Sequence, residues 1–374
     1  MKRNSFLKLL STGVILPGLI GANPINGLNN PGDSFIDRLL PAPVGGGFMM
    51  NDYWIWDPAV IKGEDGQYHM FASRWSKDIG FGNWVTNSEI VRAVSDKPEG
   101  PYSFAEVVLP PRGGHWFDGK GAFNPRITRY KNEYLLYYVG VTYDFPIPQD
   151  KENIWADGRA HKAWMHKRTG LAVASSINGP WKRVDKPLME PRPGNWDASI
   201  ISNPSPVVKP DGDVYLMYKS SAKNHTPPLL LGASLSKNGY NGPYNRLSEE
   251  PVFSFHNSNQ PDNDVEDPFV WWAGDHYEVI MKDRFGHICG EEGGGIHATS
   301  NDGVKWKLSD PVKAYSRHIK WNDGKTIHMA NFERPFLLFE NGKPTHLFAA
   351  TGTGPGMYQV DKTWNMVIPL KQTS

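Results

Sequence analysis

The sequence predicts an all-β fold, a five-bladed β-propeller with four-stranded blades around a central channel. Three observations carry this. One Pro-marked hairpin pattern recurs five times, a second strand motif alternates with it, and the chain shows no long amphipathic helix.

The hairpins are "DPAVIKGEDGQYHMF" from Asp57, "NPRITRYKNEYLLYY" from Asn124, "NPSPVVKPDGDVYLMY" from Asn203, "DPFVWWAGDHYEVIM" from Asp267 and "RPFLLFENGKPTHLF" from Arg334. Their starts are 67, 79, 64 and 67 residues apart. In each, a polar residue and Pro open an apolar run, a turn such as Asp65-Gly66, Asp211-Gly212 or Asn341-Gly342 follows, and aromatic-rich alternation completes the pair. Between them lie "AVSDKPEGPY", "AVASSINGPW", "ASLSKNGYNGPY" and "ATSNDGVKW", each a strand of small apolar residues running into a Ser, a Gly turn and an aromatic. Two hairpin-like motifs per repeat describe a four-stranded unit. Radial repetition of such units leaves only short, protected sheet edges.

Before the repeats, "MKRNSFLKLLSTGVILPGLIGANP" places Lys2 and Arg3 ahead of a short apolar run broken by Pro17 and Gly18. This reads as a secretory signal over residues 1–22, too short for a membrane span, and predicts a secreted or periplasmic protein. Residues 23–45 read as a leader in which Asp33 or Ser34 caps one short helix carrying Phe35, Leu39 and Leu40. The propeller occupies 46–374. Cys289 is the single cysteine, which excludes an intrachain disulfide. A net charge of +1 points to no nucleic-acid partner. The 14 Trp exceed what turns and strands require, and suit a stacking surface for a carbohydrate.

In a propeller the inner strand of each blade lines the channel, so the pre-proline residues converge. They are Asp57, Asn124, Asn203, the pair Glu266-Asp267, and the pair Glu333-Arg334. A residue before proline is expected to be extended. Asp and Asn there are also ordinary turn formers, but five polar openings around one axis call for a ligand or for each other. In "WFDGKGAFNP" and "WDASIISNP", Asp118 and Asp197 precede the repeat by six residues, with Trp116 and Trp196 upstream. They read equally as channel-mouth ligands and as a repeated structural turn. Trp54, Trp56, Arg126, His297, His328 and Arg334 complete the candidates for a sugar pocket.

These residues resemble the five-bladed propeller glycoside hydrolases of family 43 and their relatives in family 117. The blade pattern extends over most of the chain, and three short motifs are specific. The resemblance implies an Asp general base in "WDPAVIK", here Asp57, and a Glu general acid in "VEDPF", here Glu266. It also implies a third acid opening an intermediate blade. "NPSPVV" has Asn203 there, a departure for which Asp197 or Asp267 is the candidate replacement. Asp267 follows Glu266 directly and on a regular strand would point to the opposite side. A carboxylic acid and a carboxylate facing one channel would cleave a glycosidic bond, with inversion when a water fits between them. The family 117 likeness makes His297, His318 or His328 an alternative acid. Family 130 phosphorylases share the blade count, but the linear sequence shows no cluster of basic residues for phosphate. Many family 43 proteins hold a central calcium. No Asp-rich calcium loop is present here, so no cofactor is expected, and a carbohydrate is the expected partner. A propeller that binds sugar without cleaving it remains the competing expectation, since fold does not set function.

Overall fold

Four of the five repeats fold into four-stranded antiparallel sheets in simple sequence order. The computed structural model describes residues 34–222, 228–253 and 265–372. Blade I comprises Tyr53–Lys62, Tyr68–Ser76, Glu89–Ser95 and Ser103–Leu109. Blade II comprises Gly121–Tyr130, Glu133–Val141, Arg168–Ala174 and Lys182–Arg183, and blade III Ser202–Val208, Val214–Ser220, Leu230–Ser236 and Asn245–Arg246. Blade IV runs through Val265–Trp272, Tyr277–Asp283, Gly295–Ser300 and Lys307–Tyr315. Blade V has three strands, Asn331–Glu340, Lys343–Thr353 and Lys362–Pro369. The first strand of every blade touches the first strands of its two neighbours, I to V included, so the ring is closed. These inner strands are buried along most of their length, which is why they read as continuous apolar runs.

Blade V is completed by the chain's own beginning. Leu40 N donates to Pro369 O (2.9 Å), Phe48 and Asn365 exchange backbone bonds (2.9 Å each), and Lys371 N donates to Arg38 O (2.8 Å). Phe35, on the short 3-10 turn Phe35–Arg38, and Phe48 are both buried in the main core. The described part of the expected leader is therefore packed against the outer strand of blade V. The expected signal segment lies outside the described residues. No helix among the described residues is long and apolar enough to cross a membrane.

The pre-proline residues are not extended as expected. Asp57, Asn124, Asn203, Asp267 and Arg334 all have left-handed backbones, with φ of 54°, 52°, 51°, 60° and 59°. Each sits at a register shift between its inner strand and the next, such as Trp56/Ala59 in blade I and Glu266/Phe269 in blade IV. A β-bulge thus recurs in all five blades. Its effect is directional. Regular strands send successive side chains to opposite faces. Here the consecutive residues Trp56 and Asp57, Phe123 and Asn124, and Glu333 and Arg334 all line one cavity.

Candidate active site

The cavity lies at the axial end where the bulges meet, and holds about 450 Å³. That volume is in the range of small-molecule sites. Its floor is the ring of inner-strand residues Trp56, Asp57, Phe123, Asn124, Glu266, Glu333 and Arg334. Its wall is aromatic. Phe81 and Trp84 come from the segment joining the second and third strands of blade I, and Trp155 and Trp164 from the equivalent segment of blade II. Trp75 and Tyr358 close the remaining sides. Indole faces beside polar groups suit a sugar, whose C–H faces stack while its hydroxyls take hydrogen bonds.

The floor is a continuous ionic network. Asp57 accepts from Ser73 Oγ (2.6 Å) and from the backbone N–H of Asn124 (3.2 Å), and lies 3.2 Å from Arg334 Nε. With its amide nitrogen turned toward Asp57, Asn124 donates to both carboxylate oxygens at 2.8 Å. Arg334 also pairs with Asp267, which accepts from the Asn203 amide. Glu266 takes Lys219 Nζ on one oxygen (2.8 Å) and Lys282 Nζ on the other (3.2 Å). Lys282 bridges onward to Glu333 and to Tyr358 Oη, the latter at 2.6 Å. Buried charges of this kind hold only when paired, because desolvating each one alone is costly.

The environment drives the two principal carboxyls apart. Burial pushes Asp57 above the usual carboxylate range, against the pull of Arg334 and Ser73. Burial acts on Glu266 in the same direction, but Lys219, Lys282, Arg284 and Arg334 outweigh it and hold Glu266 well below that range. This runs against the general-acid role that the resemblance implies for Glu266, since an acid keeps its proton through a raised pKa. Asp267 is raised by burial, with Arg334 opposing. Nor does Asp267 turn away from Glu266, since the bulge brings carboxylate oxygens of Glu266, Asp267 and Glu333 within 4.8 Å of one another.

That trio does not fit a cation site. Lys282 Nζ sits between Glu266 and Glu333, Lys219 takes the other Glu266 oxygen, and Arg334 and Asn203 take Asp267. Protein cations stand where calcium would bind.

Asn203 and Asp267 support the floor from beneath and do not line the cavity. Arg126 turns the other way. Its guanidinium donates to Pro58 O (3.3 Å), lies over Phe269 and Phe336, and belongs to a groove at the opposite end of the inner strands.

Four expected pocket residues lie elsewhere. Asp118 accepts from Tyr138 Oη (2.8 Å) and Arg183 (3.0 Å), with Arg112 stacked on Trp116. Asp197 accepts from Tyr218 Oη (3.1 Å), Arg192 (2.8 Å) and Arg246 (2.6 Å). The repeated motif is thus a clamp fastening the outer strands of blades II and III, and the structural reading of it prevails. His297 is held by Glu278 (2.8 Å) and Ser309 (2.8 Å) and stacks on Trp271. His328 stacks on His318 on an exposed hairpin. None of His297, His318 and His328 lines the cavity, so none of these three is placed to act as the acid.

The sequence reading missed Lys167, Lys219, Lys282, Arg284, Trp164 and Tyr358. A signal existed for two of them. Lys219 in "VYLMYKS" and Lys282 in "YEVIMKD" are lone cations in otherwise buried second strands, and they face Ser202 and Glu266 across the ladder at equivalent positions. The basic cluster that the linear sequence hides is assembled by folding.

Comparison with known proteins places this fold. No family model matches the chain, and no curated protein matches it. Solved structures do. A complex of BT0996 and RGII superposes with a TM-score of 0.64 at 16% identity, covering 91% of this chain and 94% of that one. Zg3597, a family 117 glycoside hydrolase from the marine bacterium Zobellia galactanivorans, gives 0.61 at 14% identity, covering 89% of each chain. A thermostable family-43 glycoside hydrolase gives 0.57 at 14%, covering 87% of this chain and 92% of that one. The likeness spans the whole propeller. At these identities it establishes the five-bladed architecture, as the repeats predicted.

Proposed function

We propose that the chain is a glycoside hydrolase that takes the end of an oligosaccharide into the axial cavity. The observation that carries this is that Asp57 and Glu266, with pKa values driven in opposite directions, share one aromatic-walled cavity. Glycosidic cleavage needs such a division between a proton donor and an ionised carboxylate. The glycoside hydrolases among the similar structures support the same reading. The electrostatics assign the roles in reverse of the family pattern. Asp57, raised by burial, is the more easily protonated of the two and would be the donor to the leaving oxygen. Glu266, ionised by two lysines, activates water or attacks the anomeric carbon. Export by the basic and apolar N-terminal segment would bring this chemistry to extracellular or periplasmic plant or algal glycans.

The test is a panel of aryl glycosides and oligosaccharides with the wild type, Asp57→Asn and Glu266→Gln. Each variant is expected to lose ~10²–10⁴-fold in turnover. Asp57→Asn should recover most on substrates with good leaving groups, and Glu266→Gln with added azide. Full activity in both variants defeats the hydrolase reading, and the opposite rescue pattern reverses the roles. NMR of the first-formed anomer would show whether the configuration inverts.

One observation favours a second reading, sugar binding without turnover. Asp57, Glu266, Asp267 and Glu333 each already have a cationic partner. Calorimetric binding with no product over long incubation would select it.

A further inference from the structure

Lys167 differs from every other cation of the cavity. It follows the short helix Arg159–Met165, is 1% exposed and lines the cavity wall. Lys219, Lys282, Arg284 and Arg334 each lie within ion-pair distance of a carboxylate. The Lys167 amine has neither a carboxylate nor a hydrogen-bond acceptor among the described residues. It stands 4.1 Å from the centre of the Trp164 ring and 5.7 Å from that of Trp84. Cation–π contact of this kind offsets part of the desolvation of an ammonium but supplies no acceptor. A largely buried amine that finds no acceptor among the described residues is a group able to take a partner.

We propose that Lys167 is the receptor for an anionic substituent on the bound sugar, so that the cavity selects a glycan carrying a carboxylate, a uronic acid residue. The inference rests on the carbohydrate reading above and names its substrate class. The geometry favours a carboxylate on the sugar over free phosphate. A sugar stacked on Trp84 brings a ring substituent toward the amine, 5.7 Å from that ring's centre, and one ammonium matches a single negative charge. A phosphate dianion calls for several converging donors, and the remaining cations of the cavity are committed to Glu266, Glu333, Asp57 and Asp267. Neighbouring cations favour the same outcome. Burial, with Lys219 and Arg334 nearby, pulls the Lys167 pKa well below its ordinary value, and an arriving carboxylate relieves that cost.

The experiment is calorimetric binding of glucuronate and galacturonate methyl glycosides, their neutral parents, and inorganic phosphate, to the wild type, Lys167→Met and Lys167→Arg. The wild type should prefer a uronide over its neutral parent by about tenfold or more. Lys167→Met should bring the pair within about twofold, while Lys167→Arg retains a preference. Circular dichroism and a thermal melt establish that both variants are folded. Equal affinity for acid and neutral sugars overturns the inference and leaves the hydrolase reading standing. A uronide preference without turnover of uronide-containing oligosaccharides upholds it and removes the hydrolase reading. Phosphate binding lost in Lys167→Met, with no uronide preference, reassigns the site to free phosphate, and no binding of any sugar defeats both.

Discussion

Glu266 is held by two ammonium groups, and the consequences are measurable at the level of single residues. Its carboxyl is held low in the folded protein. The stabilisation is therefore present above the ordinary Glu pKa and is lost as pH falls through the folded value. Lys219→Met removes the 2.8 Å partner and should move the acid-unfolding midpoint to higher pH, together with the acid limb of the activity profile. An unmoved profile would show that Lys282, Arg284 and Arg334 suffice to set the charge state. Lys167 carries the opposite sign. Its folded pKa is depressed, so the unfolded chain takes up a proton first as pH falls, and stability is lost across that window. Lys167→Met should stabilise the protein by ~1 kcal/mol or more near about pH 7, and by less near about pH 10, in urea unfolding. Legibility at this scale divides by setting. Asp57 and Glu266 could be found because proline marks the strand mouth. Lys219 and Lys282 were findable as cations within apolar runs. Lys167 was not, because it lies in a connecting segment outside the two repeated motifs.

The recurring bulge is the device that matters at the level of elements. Left-handed backbone is disfavoured for any residue with a Cβ, least so for Asn and Asp. Four of the five positions are Asn or Asp, and the fifth, Arg334, is clamped by Asp57 and Asp267. Asn203 separates backbone from side chain. Asn203→Gly keeps the conformation and loses the side-chain bonds to Asp267 and Ser202, as any apolar replacement does, whereas Asn203→Val should cost ~1–3 kcal/mol more in chemical denaturation. Equal losses would place the strain elsewhere. The loop clamps make a contrasting prediction. Asp197→Ala takes from Arg246 its carboxylate, while Arg192 keeps Glu249, and should lower stability by ~2–3 kcal/mol, with KM unchanged because the clamp is remote from the cavity. The repeat pattern revealed the blade openings but concealed the bulge. Alternation and the usual pre-proline preference both argue for a regular strand. Only the requirement that neighbouring side chains share one cavity reverses that.

Across the whole molecule, ring closure is the organising fact. Asp57 and Arg334 tie blade I to V, Asn203 and Asp267 tie III to IV, and Arg334 and Asp267 tie V to IV. The blades should therefore unfold together, in one calorimetric transition. Phe48→Ala, at the seam of blade V, should cost ~3–5 kcal/mol and lower the melting temperature of the entire protein, not of one blade. The sequence displayed five repeats but not what completes the last sheet. The N-terminal segment reaches blade V through isolated bridges, without the period-2 pattern that marks a strand.

That seam also imposes an order of events during synthesis. Residues Arg38 to Phe48 leave the ribosome early, yet, Gly47 with its partners Glu99 and Tyr102 aside, their long-range backbone hydrogen-bond partners lie between Lys320 and Lys371. The same delay separates Ile55 from Thr363, whose hydroxyl accepts its N–H across 308 residues. In the nascent chain Phe35 waits for Trp271 and His297 of blade IV and Phe48 for the final strand, so exposure of this segment to chaperones and proteases lasts until the ring shuts.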